Sequence, residues 1–115
     1  MMGDYIFSQL ALGDPGFEAR LRDMFVLGWA MSNQYQVTSA TVDDNNVIQT
    51  ARVTWPNGQQ GTYTVTQQNT SFPVADAFTI TYEYGNGGIR TVTQPVGVTR
   101  NTQGAILNSP DLTIM

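Results

Sequence analysis

From Tyr35 onward, turn-forming residues recur about every ten residues, and this spacing constrains the fold more than any other feature of the chain. Clusters rich in Asn, Gly and Pro interrupt the chain at 43–46, 56–58 and 85–88. Between these clusters apolar and polar residues alternate, which is typical of strands with one covered face. The sequence therefore predicts a mainly β domain over residues 35–115, built as a small antiparallel sandwich or barrel of meander hairpins.

Two segments, Val47–Trp55 and Phe78–Tyr84, show the clearest alternation. Because alternate side chains of a strand point to opposite faces, these segments predict a shared interior face. We expect that interior to hold Val47, Val53, Trp55, Phe78, Ile80 and Tyr82. Further strands are predicted at Gln36–Val42, Gly61–Thr66, Ile89–Gln94, Val96–Thr99, Ala105–Leu107 and Leu112–Ile114.

Residues 1–34 form the second predicted unit, an N-terminal arm followed by an apolar helix. Asp14 is suited to cap a helix and Pro15 to begin its first turn, so the helix should start there. Glu18 and Arg22 are four residues apart and can pair on its outer face. Apolar residues recur at spacings of three and four, which predicts one helical face made of Phe17, Leu21, Met24, Phe25 and Gly28.

The segment Met24–Met31 contains eight residues without a polar side chain. A helix that is apolar all round must be covered all round, and one small sheet covers a single side. The cover could be the chain's own N-terminal arm, a neighbouring subunit or a membrane surface, although the absence of Lys disfavours the membrane. The subunit-contact hypothesis assigns the interface to Tyr5, Phe7, Leu10, Phe25, Leu27, Trp29 and Met31.

The chain has no Cys, His or Lys, which removes most of the side chains used in catalysis and in transition-metal binding. We therefore expect a protein that is not an enzyme, with no catalytic residues and no cofactor. Asp43 and Asp44 could hold a hard cation weakly through their oxygens, but they lie in a turn cluster without the ligand spacing of a calcium loop. The sequence leaves that weak site open.

Only 12% of the residues are charged, so hydroxyl and amide groups solubilise the surface. Neutral polar groups cost less to desolvate than charges, which suits a protein packed against identical copies. The net charge of −4 argues against nucleic-acid binding. We expect no targeting signal and no membrane span, because the start is not basic and no apolar run approaches about 20 residues.

The turns Trp55–Gly58 and Gly85–Gly88, together with the segments Thr91–Pro95 and Val98–Asn101 and Gly104, carry a resemblance over residues 35–115. In these features the chain resembles small β-rich structural proteins of tailed-bacteriophage particles. The resemblance implies a virion component, either a capsid decoration (cement) protein or a tail, fibre or adaptor subunit. Such a protein is assembled in the host cytoplasm, released with the particle, and partnered by identical copies and other virion proteins.

A carbohydrate- or surface-binding β-module is the alternative function. It would need an exposed aromatic platform, so burial of the candidate rings distinguishes the two hypotheses. Those rings are Trp55, Tyr63, Tyr82 and Tyr84.

Overall fold

A computed structural model describes residues 15–115, which fold as one helix followed by eight strands. Helix α1 spans Pro15–Met31. The strands are β1 Gln36–Val42, β2 Ile48–Thr54, β3 Gln60–Gln68, β4 Ala75–Gly85, β5 Gly88–Gln94, β6 Thr99–Arg100, β7 Ile106–Asn108 and β8 Thr113–Ile114. The prediction of a mainly β, antiparallel protein with one N-terminal helix is confirmed.

Six strands form the main sheet in the order β1-β2-β3-β4-β5-β8, and every neighbouring pair is antiparallel. Strands β6 and β7 pair separately as a short second sheet. The strand order therefore places β1 and β8 at the two edges of the main sheet. The finer prediction of a sandwich or barrel is not confirmed.

The predicted strand at Val96–Thr99 is displaced in the structure, where β6 begins only at Thr99. The chain leaves β5 at Pro95, which has no N–H to donate to a strand ladder. Gly97 then adopts a φ of +119°, a conformation that favours glycine. These two residues explain why the strand starts later than the alternation predicts.

Helix α1 ends in a capping motif in which Asn33 adopts a left-handed conformation. Asn33 has a φ of +54°, in the left-handed region that Asn tolerates better than most residues. Its N–H donates to the Ala30 carbonyl at 3.2 Å, and the Gln34 N–H donates to the Trp29 carbonyl at 2.9 Å. This pair of hydrogen bonds satisfies carbonyls that the last helical turn leaves open.

The core lies between α1 and one face of the sheet. Its buried members are Val26, Ala30, Val53, Trp55, Ile80, Tyr82 and Val92. Of the six residues predicted to share an interior, Val53, Trp55, Ile80 and Tyr82 belong to this cluster, and Phe78 is partly buried and packs against it. Val47 is buried but lies outside the cluster, because Gln49 is an extra residue of β2 that interrupts the alternation. The predicted register is confirmed from Thr50 onward: Thr50 is exposed, and Arg52 bonds to Glu83 on the opposite face.

Trp55 crosses a neighbouring strand to reach its hydrogen-bond partner. Its Nε1 donates to the Thr81 carbonyl of β4 at 2.9 Å, although β3 lies between β2 and β4. The indole can pass because β3 has Gly61 at this point, where a Cβ atom would overlap the Thr81 carbonyl oxygen. Because Gly61 has no side chain, the Trp55 indole reaches from the end of β2 across β3 to β4.

Polar contacts hold α1 on the β5 side of the sheet. Arg90 of β5 donates to both carboxylate oxygens of Asp23, from Nε at 3.0 Å and from Nη2 at 2.7 Å. Arg22 contacts the same carboxylate and places its guanidinium 4.2 Å from the centroid of the Tyr84 ring. Arg22 thus points to the sheet rather than to Glu18 on the outer face, which corrects the pairing that their spacing predicts.

Candidate assembly surface

The outward face of α1 carries exposed apolar side chains. Met24, Phe25 and Met31 are 69%, 55% and 66% exposed. Gly28 is exposed on the same helix, with open space around the position of a Cβ atom. On the opposite side of the helix Val26 and Ala30 are buried against the sheet. The helix is therefore apolar on two faces, of which the sheet covers one.

The structure divides the predicted interface residues. Phe25 and Met31 are exposed, whereas Leu27 and Trp29 are partly buried and pack against the core cluster. Tyr5, Phe7 and Leu10 lie outside the described residues. Met24 was not among the residues predicted for the interface, although its place in the predicted helical face with Phe25 and Gly28 indicated it.

A chain of aromatic rings connects the outward face to the core. The centroids of Phe25 and Trp29 are 5.9 Å apart, and those of Trp29 and Trp55 are 6.4 Å apart. Tyr82 adds an edge-on contact to Trp55 at 6.0 Å. Because each ring packs on the next, the exposed Phe25 ring is held by a buried cluster and can be presented to a partner at a low entropic cost.

The N-terminal half of α1 adds an apolar hollow of about 220 Å³. Phe17, Leu21 and Met24 line it together with Arg20. The Arg20 guanidinium lies 5.9 Å from the centroid of the Phe17 ring, so its aliphatic stem contributes to the apolar surface. The outward apolar surface thus extends from Phe17 to Met31.

Strand β1 is a second exposed feature. All seven residues, Gln36–Val42, are exposed, and none carries a charge. Val37 and Val42 are 45% and 53% exposed. Within the residues that the structure describes, β1 pairs with β2 along one side and with no strand along the other. Natural edge strands usually carry charges or Pro that discourage pairing, and β1 has neither.

The four aromatic rings that could form a carbohydrate-binding platform are mostly buried or covered by other side chains. Trp55 and Tyr82 are 1% and 5% exposed. Tyr84 is 42% exposed, but its ring stacks on Tyr82 and is covered by the Arg22 guanidinium. Tyr63 is partly buried against Phe78, and burial raises its pKa above the ordinary tyrosine value. These four rings therefore offer little open ring face to a sugar.

A groove of about 410 Å³ lies where the loop at 69–72 meets the segment 100–102. Arg100 donates from Nε to Asp76 Oδ1 at 2.8 Å and from Nη1 to the Gly104 carbonyl at 2.7 Å. Asn69 donates to the other Asp76 oxygen at 2.8 Å. These polar groups bond mainly to one another, so the arrangement ties the β6–β7 sheet to β4.

Asp76 is the one buried polar residue in the described part of the chain. Burial by itself raises the pKa of its carboxyl, but hydrogen bonds from Arg100 and Asn69 and the positive charge of Arg100 outweigh that effect. The pKa of Asp76 therefore lies below the usual range, and the carboxylate is ionised in the folded protein at neutral pH.

The acidic turn after β1 is organised by its own backbone. Asp43 Oδ1 accepts hydrogen bonds from the N–H groups of Asn45 and Val47, both at 2.9 Å, and Oδ2 accepts one from Gln68 at 2.8 Å. The bonds from Val47 and Gln68 hold the Asp43 pKa below its ordinary value. Asp44 is exposed. Among residues 15–115, no three or more His, Cys, Asp or Glu side chains are grouped so that they could hold a metal ion.

The described part of the chain contains no helix that is both long enough and apolar enough to cross a membrane. No protein-family model, curated protein or solved structure matches the chain. The arrangement of exposed and buried side chains is therefore the basis for a functional proposal.

Proposed function

We propose that this chain is a non-enzymatic structural subunit of a bacteriophage particle. In this proposal it serves as a capsid decoration (cement) protein or as a tail, fibre or adaptor subunit. It assembles through its N-terminal segment, the outward face of α1 and the edges of its sheet. It is built into the particle in the host cytoplasm and leaves the cell with it.

The observation that carries the proposal is the outward face of α1. Three large apolar side chains, Met24, Phe25 and Met31, are each more than half exposed on one helix of a small domain. Burying such side chains from water contributes about 1.5–3 kcal/mol each, which favours association. The neutral, Thr- and Asn-rich surface around the sheet supplies a polar rim that is inexpensive to desolvate.

The location in a particle rests on the resemblance of residues 35–115 to phage structural proteins. A subunit of this kind needs a rigid displayed domain and a contact surface, and it needs no catalytic group. The chain of aromatic rings from Phe25 through Trp29 to Trp55 connects the exposed face of α1 to the core of the domain. The carbohydrate-binding alternative has less support, because the rings of its platform are buried or covered.

A double substitution in α1 tests the assembly. Met24→Ser with Phe25→Ser removes exposed apolar surface and leaves Trp29 in place, because Trp29 supports the core. Sedimentation velocity should show oligomers of the native chain and a shift to monomer in the variant. Val96→Ser, at a position 62% exposed and away from α1, is the matched control and should sediment like the native chain. A native chain that stays monomeric at every concentration would contradict the proposal.

The particle location needs a separate measurement. Phage particles induced from the source culture are banded in a density gradient, and peptides of this chain are sought by mass spectrometry. They should occur in the particle band at a constant ratio to the major capsid peptides. Recovery of the chain only from the particle-free fraction would show that it is not a virion component.

A further inference from the structure

We infer that Asn86, at the tip of the hairpin between β4 and β5, is a site of spontaneous deamidation, and that the fold protects Asn57 from the same reaction. Asparagine deamidates most readily when glycine follows it, because glycine has no Cβ atom to hinder the approach of its nitrogen. The chain has this dipeptide at 57–58 and at 86–87. The two sites therefore share their local chemistry and differ in the structure that surrounds them. The inference is independent of the proposed function.

The reaction is an attack by the backbone on the side-chain amide. The Gly87 nitrogen forms a bond to Cγ of Asn86, the bond from Cγ to Nδ2 breaks, and ammonia leaves with the hydrogen of the Gly87 N–H. Water then opens the resulting cyclic imide, adding OH to one carbonyl carbon and a hydrogen to the nitrogen. Addition at Cγ gives aspartate at position 86, whereas addition at the main-chain carbonyl carbon gives isoaspartate, in which the backbone runs through the side chain.

The hairpin tip leaves both reacting groups free to move. Asn86 and Gly87 are exposed. Within residues 15–115, neither the Asn86 side chain nor the Gly87 N–H makes a hydrogen bond. Gly85 and Gly87 flank Asn86, with φ values of +101° and +77°. Because glycine resists backbone rotation less than any other residue, the turn can bring the Gly87 nitrogen to Cγ of Asn86 at low cost.

Asn57, in contrast, is held at every group that the reaction uses. Its Nδ2, which would have to leave, donates to Tyr82 Oη at 2.7 Å, and its Oδ1 accepts a hydrogen bond from the Gln59 N–H at 3.2 Å. The nitrogen that would attack belongs to Gly58, and its N–H donates to the Trp55 carbonyl at 2.9 Å. Tyr82 is itself buried in the core. The Asn57 side chain therefore has to break hydrogen bonds before it can react.

Deamidation at position 86 would alter the hairpin next to the contacts that hold α1. Either product adds a negative charge to an exposed turn. Isoaspartate also adds one atom to the main chain of the short turn between Gly85 and Gly88, which are paired across the hairpin. The Arg90 side chain, which binds Asp23 of α1, follows in the same strand. A slow chemical change at the tip would thus reach the polar contact between the helix and the sheet.

The test follows both sites in the native full chain during incubation at mildly alkaline pH. Mass spectrometry of chymotryptic peptides measures the two rates separately, because Tyr63 lies between the sites. Deamidation at Asn86 should be at least about tenfold faster than at Asn57, where hydrogen bonds must break first. In urea the same chain should deamidate at similar rates at both sites, because the dipeptides are identical. A ratio of rates in the native chain that equals the ratio in urea would overturn the inference.

A variant tests the source of the protection. Tyr82→Phe removes the hydroxyl that accepts the Asn57 hydrogen bond and keeps the ring in the core. It should accelerate deamidation at Asn57 and leave the rate at Asn86 unchanged, with circular dichroism showing that the variant is folded. Tyr63→Phe removes a different tyrosine hydroxyl and is the matched control, which should change neither rate. An unchanged rate at Asn57 in the folded Tyr82→Phe variant would overturn the protective role of that hydrogen bond.

Discussion

Strands β4 and β1 belong to the same antiparallel sheet, yet their surroundings differ completely. Strand β4 pairs on both sides, with β3 and β5, and buries Ala77, Ile80 and Tyr82. Among residues 15–115, strand β1 pairs on one side only, and all seven of its residues are exposed. The comparison shows that alternation predicts which side chains share a face, while the position in the sheet decides whether that face is covered.

The largest expected effect is at the centre of β4. Ile80 is fully buried between Tyr63 and Val92 on the neighbouring strands, so Ile80→Ala would leave a cavity in the core. We expect a loss of about 2–5 kcal/mol in the free energy of unfolding, measured by urea denaturation. An unchanged unfolding midpoint would show that β4 does not organise the core.

A single substitution made in two strands sharpens the comparison. Val92 of β5 is fully buried, whereas Val42 of β1 is 53% exposed. Val92→Ala should lower the free energy of unfolding by about 2 kcal/mol, since two methyl groups leave the core. Val42→Ala should change it by no more than about 0.5 kcal/mol, measured at low chain concentration. Equal losses at the two positions would contradict the difference in burial.

The smallest effect concerns pH and the polar end of β4. Because the pKa of Asp76 is lowered on folding, its ionised form stabilises the protein at pH values above the ordinary carboxyl pKa of about 4. That contribution is lost as the pH falls through the folded-state pKa. Asp76→Asn should therefore make the melting temperature less dependent on pH in the acid range. The exposed Asp111→Asn is the control, and an acid slope altered equally by both variants would exclude this role of Asp76.

Local patterns were sufficient for much of the fold. Asp14 and Pro15 predicted a helix that starts where α1 begins. The strand predicted at Gln36–Val42 has the same bounds as β1. Alternation in Val47–Trp55 also identified the buried face of β2. These features depend on neighbours in the chain, since turn chemistry and strand periodicity act over a few residues.

The orientation of α1 could not be read from its spacing. The periodicity of three and four selected the face with Met24, Phe25 and Gly28, which points away from the sheet. The face on the sheet contains Val26 and Ala30, and it is positioned by the ion pair between Asp23 and Arg90. Either apolar face of α1 could pack on the sheet. The ion pair of Asp23 with Arg90, 67 residues later in the chain, fixes the face that does so.

The sequence by itself thus determined the mainly β class, the turns, the strand faces and the absence of Cys, His and Lys chemistry. Tertiary structure alone decided which face of α1 stays exposed, that Trp55 crosses Gly61 to reach Thr81, and that Arg100 meets Asp76. The physical reason is the range of the interactions. Periodicity and turn preferences are local, whereas helix docking, close approach at glycine and buried ion pairs join residues that only the packed sheet brings together.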